Sequence, residues 1–136
     1  MFRKILFLVI NIVLVFSISS CKNSSNEKFE DKSKTNKTLL EGDWLRTDAS
    51  YRINISALND DGTLIAKYFN PKPINVGKAN WEENYGNLKL TIELRDVNYP
   101  GSTYSLSYLP DKDMLAGEYY QAVEGLTFYV EFVRNK

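Results

Sequence analysis

From Leu39 onward the chain alternates between apolar and polar positions with a period of two. Tyr51, Ile53 and Ile55 alternate with Arg52, Asn54 and Ser56, and Leu88, Leu90, Ile92 and Leu94 with Lys89, Thr91, Glu93 and Arg95. The same pattern runs through Tyr104, Leu106 and Tyr108, and again through Leu126, Phe128, Val130 and Phe132. Successive side chains on a strand point to opposite faces, so each segment predicts a strand with one buried face. Less regular strands fit at 42–47, 63–69, 74–81 and 114–121, and no window has a helical period. Eight short strands joined by short links predict an all-β fold, an eight-stranded antiparallel up-and-down barrel whose closure removes both sheet edges. A two-sheet β-sandwich satisfies the same pattern.

The first residues follow a different rule. Met1-Phe2-Arg3-Lys4 is a basic start, and the run Ile5 to Ile18 is apolar except at Asn11 and Ser17. As a helix this run would span roughly 21 Å, short of the bilayer core of about 30 Å. A basic start, a short apolar run and small residues form the pattern of an export signal. Ile18-Ser19-Ser20-Cys21, which contains the chain's single cysteine, resembles a bacterial lipobox. That resemblance implies a signal peptide over 1–20 and a Cys21 that carries acyl chains such as palmitate. The bilayer is then a partner, and several chains hold firmly where one binds only marginally. Lys22, rather than Asp, follows the cysteine; by the enterobacterial sorting pattern this implies the outer membrane rather than the inner one. Residues 21–38, polar apart from Phe29 and without periodicity, read as a disordered tether. The 17 residues after Cys21, 22–38, reach on average about 23 Å as a flexible chain.

Composition narrows the function of the remaining domain, 39–136. It carries 10 Lys and Arg against 14 Asp and Glu, a net charge of −4. Such a surface has no basic stripe for a phosphate backbone, so no nucleic acid is expected. The chain has no histidine and no cysteine besides Cys21. Nucleophile–histidine pairs, His-ligated metals and thiolate metal sites therefore fall away together. The expectation is no enzyme, no catalytic residues, no cofactor and no metal.

Gly42-Asp43-Trp44 is a G-x-W on the first strand, and Asp61-Gly62-Thr63-Leu64 leads into a strand that ends at Tyr68. In these features the chain resembles the lipocalin and avidin-like (calycin-type) barrels. The segments YFNPKPINV and ELRDVNYPGSTYSLSY resemble a family of small exported bacterial proteins without an assigned activity, a resemblance that would extend over nearly all of 39–136. The lipocalin resemblance implies structural roles for Gly42, Trp44 and Arg134. In those barrels a basic residue near the chain's end packs on the G-x-W tryptophan across the closed base.

In an up-and-down barrel successive loops alternate between the two ends. The even loops, 59–62, 82–87 and 110–113, have plain turn chemistry. The odd loops, 47–50, 70–73, 97–102 and 121–125, place Asn, Pro and Gln beside aromatic strand ends. Tyr99-Pro100-Gly101-Ser102 also fits a type II turn that needs no ligand. The domain has nine tyrosines against three phenylalanines, more hydroxyls than a dry core can partner. Tyr68, Asn70, Asn98, Tyr99, Tyr104, Tyr119 and Gln121 are therefore the candidate ligand-binding residues, ringing one opening. Tyr119 should point inward in phase with Leu115 and Gly117, the glycine leaving room beside it. Two functions follow: binding of a small amphipathic ligand at the open end, or an envelope protein–protein interaction, such as a hydrolase inhibitor.

Overall fold

A computed structural model describes residues 36–136. The expected signal peptide, the lipidated Cys21 and all but the end of the tether lie outside the described residues. Asn36 to Thr38, assigned to the tether by composition, instead begin the folded part. The Asn36 side chain accepts from the Thr38 N–H at 3.1 Å and caps a 3₁₀ turn, Lys37–Leu40. Leu40 is thereby turned into the core and fully buried.

Nine strands follow: β1 (Gly42–Arg46), β2 (Arg52–Leu58), β3 (Leu64–Asn70), β4 (Lys72–Ile74), β5 (Val76–Asn84), β6 (Asn87–Asp96), β7 (Tyr99–Leu109), β8 (Met114–Gln121) and β9 (Leu126–Arg134). They form one antiparallel sheet in the order β4-β3-β2-β1-β9-β8-β7-β6-β5. The residues that lead into β3 approach β5 through a bridge between Thr63 and Asn80 and a 2.8 Å bond from the Trp81 N–H to the Gly62 carbonyl. The fold is a nearly closed barrel, not a two-sheet sandwich.

The count is nine rather than eight because the expected loop 70–73 is itself paired: Lys72 and Pro73 join Ile74 in β4 against β3, and only Val76 onward of the expected strand 74–81 pairs elsewhere. Ile74 still pairs with Tyr68 on β3. At Asn75 the backbone N–H and the side-chain amide both donate to the Asp96 carboxylate, at 3.0 and 2.7 Å, and the Asn75 carbonyl accepts from Arg95 N–H. From Val76 onward the chain therefore belongs to β6. Between β6 and β7 the structure also departs from the expected loop 97–102. The turn is only Val97-Asn98, while Pro100 and Gly101 lie within β7. Gly101, at φ +89°, sits where the register slips between Glu93 and Arg95. This is a bulge, a position that tolerates both a proline and a left-handed glycine. The tip of β5–β6 uses Tyr85 and Gly86, both at positive φ (50° and 80°), the requirement of a tight two-residue hairpin.

Alternation places the core as the sequence requires along most strands, but Leu126 and Phe128, expected on the buried face, are 51 % and 42 % exposed at the start of β9. Ile53 and Ile55, Leu88 through Leu94 at every second residue, Tyr104, Leu106, and Phe132 are buried, and their neighbours face outward. Each such aliphatic or aromatic side chain contributes about 1.5–3 kcal/mol on burial. Side chains thus fill the barrel from the 3₁₀ turn up to Tyr104.

Candidate functional site

The two ends of the barrel differ. At the end where β1 begins and β9 finishes, Trp44 is the direct partner of Arg134. The Arg134 guanidinium lies over the Trp44 ring, 4.1 Å from its centroid. Its Nη1 donates to Glu41 O at 2.7 Å and its Nη2 to Leu39 O at 2.8 Å, while Nε and Nη2 together grip Asp113 at 2.7 and 2.8 Å. Hydrogen bonds from Arg134 hold the Asp113 carboxyl below its ordinary range. Gly42, at φ +132°, holds a backbone conformation that residues with a side chain rarely adopt, and a Cβ would also lie 2.7 Å from Arg134 Nη1. Trp44 Nε1 donates to Leu40 O at 2.9 Å. The 3₁₀ turn lies at this end, with Leu40 fully buried.

The opposite end is open. A cleft of about 220 Å³ is lined by Arg46, Tyr51, Tyr68, Asn70, Tyr99, Tyr119, Gln121 and Phe128. Each comes from a strand end or a residue beside one: β1 finishes at Arg46, β3 at Asn70 and β8 at Gln121, while β7 starts at Tyr99. Five of the seven sequence candidates therefore share the lining. Tyr104 lies beneath it, fully buried, with its ring stacked on Tyr119 at 4.4 Å between centroids. Asn98 is the exception: it occupies the exposed turn after β6 and is not among the lining residues. The short turn and the bulge draw Tyr99 into the barrel and leave Asn98 outside.

Tyr119 is buried and Tyr120 exposed, as alternation from Leu115 dictates. The room expected beside Gly117 does not exist. A Cβ there would lie 2.1 Å from Ser105 O and 3.0 Å from Leu106 Cα, so Gly117 marks a close approach of β8 to β7. Gly117→Leu would break that pairing rather than fill a ligand cavity.

Sequence reasoning missed Arg46, Tyr51 and Phe128. Phase alone would have found them. Arg46 is two residues beyond Trp44, Tyr51 two before Ile53, and Phe128 two before Val130, all buried positions.

Polar groups gather at the bottom of the cleft. The Tyr68 and Tyr104 hydroxyls are 2.9 Å apart. Burial raises both above the usual tyrosine range, Tyr104 to about 12, where its hydroxyl pairing with Tyr68 and the nearby Arg46 charge oppose a larger rise. Both stay neutral and serve as hydrogen-bonding groups rather than bases. Asn70 Nδ2 donates to the Tyr99 hydroxyl. The Arg46 guanidinium carbon lies 5.1 Å from the Tyr51 ring centroid and 5.9 Å from that of Tyr119. Its Nη2 donates to Asp48 at 3.0 Å. Its Nε, 2.6 Å from the other Asp48 oxygen, lacks the alignment of a hydrogen bond and has no other partner. The hydrogen bond from Arg46 lowers the Asp48 carboxyl from its ordinary range.

A larger depression, about 340 Å³, lies on the outer face of β5 and β6. Lys78, Glu82, Lys89 and Glu93 line it, the mixed charges of a solvated sheet face with no buried polar floor. The mouth is the better candidate, because polar and aromatic groups converge there from several strands. Among the described residues no three His, Cys, Asp or Glu side chains are grouped to hold a metal. No known family, curated protein or solved structure matches this chain.

Proposed function

We propose that this protein is a lipoprotein, anchored through Cys21 in the cell envelope at the outer membrane, whose barrel binds a small amphipathic ligand at its open end. The observation that carries this reading is the cleft itself. Ring faces of Tyr51, Tyr68, Tyr99, Tyr119 and Phe128 surround a few polar groups, Arg46, Asn70 and Gln121. That mixture supplies apolar contact together with orientation. Its 220 Å³ is below the roughly 300–1,000 Å³ of clefts for drug-sized molecules, so the ligand is small or only partly enclosed. Native mass spectrometry of the protein purified from its own host tests the reading. A discrete bound mass that Tyr119→Ala removes is the expected result; a wild-type spectrum free of adducts speaks against it.

One observation favours the alternative, an envelope interaction module or hydrolase inhibitor. The β8–β9 hairpin exposes Tyr120, Val123, Leu126 and Tyr129 around its turn. Grouped exposed apolar side chains mark interaction surfaces. In-cell cross-linking from position 123 to a single envelope protein, retained when Tyr119 is replaced, would put this reading ahead.

A further inference from the structure

The open end is graded in polarity. At its bottom the Arg46 side chain is 10 % exposed and stands above the fully buried Tyr104. At its rim Phe128 is 42 % exposed, and Leu126, two residues earlier on the same face of β9, is 51 % exposed. Charge lies deep and bare hydrocarbon lies outside, the reverse of a cleft built to swallow an apolar tail.

Resting on the ligand-binding reading above, we infer that the mouth takes its ligand head-first, as a small monocarboxylate. Its anionic group meets Arg46, and its apolar body lies against Phe128 and Leu126.

Among the described residues Arg46 is the one charged side chain that lines the cleft. A guanidinium with so little exposure requires an anionic partner. In this structure the partner is Asp48, at 2.6 and 3.0 Å, and its carboxylate shows what the site accommodates. The grip is incomplete, since the Nε–H makes no aligned bond. Asp48 is also 59 % exposed, so releasing it to water is easy. An incoming carboxylate can therefore take its place on the planar fork, for which a bidentate carboxylate is the natural complement. Below it the Tyr68 hydroxyl, which lines the cleft and is paired with the buried Tyr104 hydroxyl, adds a neutral polar group. A phosphate monoester fits less well, because its charge of about −1.5 to −2 would face a single guanidinium with no lysine beside it. The small volume is enough for the head and the start of the body, while the remainder rests on the exposed rim.

The test is calorimetry on the full chain in phosphatidylcholine nanodiscs, with empty nanodiscs as the reference. The probes are 3-phenylpropionate and its neutral amide, 3-phenylpropionamide. Wild type should bind the carboxylate at least about tenfold more tightly than the amide. Arg46→Met should abolish that preference while still binding the amide. Asp48→Asn removes the internal competitor and should raise carboxylate affinity roughly three- to tenfold with the amide unchanged. If Arg46→Met does not fold, the Asp48→Asn result decides. Equal binding of both probes, lost in Tyr119→Ala, overturns the carboxylate inference and leaves the ligand-binding reading standing. A preference that survives Arg46→Met, or an Asp48→Asn protein no tighter than wild type, also overturns it. Binding of neither probe does so too, and host-purified protein without a bound mass would then remove the ligand-binding reading as well.

Discussion

Arg134→Met removes the side chain that ties the last strand to the first and to the 3₁₀ turn. The two bonds to Glu41 O and Leu39 O, at 2.7 and 2.8 Å, are charge-assisted, a class that contributes about 1.5–3 kcal/mol each when well shielded. Arg134 is a quarter exposed and Asp113 44 % exposed, so the carbonyl bonds fall at the low end. For the same reason the ion pair adds at most about 1 kcal/mol. Stacking on Trp44 adds about 1 kcal/mol, and methionine retains part of that packing. Because these terms are not additive, the expected loss is about 3–4 kcal/mol, or at least ~12 °C in Tm for a domain of this size. Urea unfolding followed by tryptophan fluorescence reads it directly, Trp44 being buried under the guanidinium. Asp113→Asn, which removes the exposed ion pair and leaves an amide oxygen to accept from the Tyr108 hydroxyl, should cost no more than about 1 kcal/mol. Arg134→Lys keeps the charge without the fork and should stay close to Arg134→Met. A loss below about 1 kcal/mol in Arg134→Met, no larger than in Asp113→Asn, would refute the reasoning and reduce Arg134 to a solvated terminal residue.

The Asp113 carboxyl is depressed in the folded state, so its contribution is complete above the unfolded value near pH 4 and disappears as pH falls through the lower folded value. Acid titration of stability should therefore lose part of its slope below about pH 4 in Arg134→Met, and an unchanged slope would assign that limb to other carboxylates. Tyr104→Phe strands the Tyr68 hydroxyl and should cost about 1–2 kcal/mol. The Tyr68→Phe/Tyr104→Phe double variant should recover most of that loss in the same unfolding assay, and simple additivity would exclude the hydroxyl pair as the cause. Gly117→Ala should destabilise by about 1–3 kcal/mol through overpacking against β7, with faster amide exchange confined at first to β7 and β8; an unperturbed exchange map would contradict the close approach. Cys21→Ala should end fatty-acid labelling and detergent partitioning, and a variant that labels like wild type would refute the anchor.

Much of this fold was written in the period-two alternation, because a strand with one buried face leaves that signature in sequence whatever its neighbours are. The all-β class, the inward set from Leu88 to Leu94 and the phase of Tyr119 follow from it. The positions of Trp44 and Arg134 followed from strand direction, given that the sheet closes between its first and last strands. The same alternation contains Arg46, Tyr51 and Phe128, whereas residue type alone favours loop tyrosines and asparagines, Asn98 among them. What alternation cannot express is which partner a strand keeps along its length. Asn75 divides one apolar segment into β4 and β5 by bonding to Asp96, 21 residues away. Gly117 looked like spare volume because a missing side chain reads as space until the backbone of the neighbouring strand is located. The convergence of Arg46, Tyr68 and Tyr119 on one cleft, with Tyr104 beneath them, was likewise decided only in three dimensions. Depth along a barrel axis depends on strand stagger and on bulges at Ser56, Gly77 and Gly101, each a register slip that local sequence leaves open.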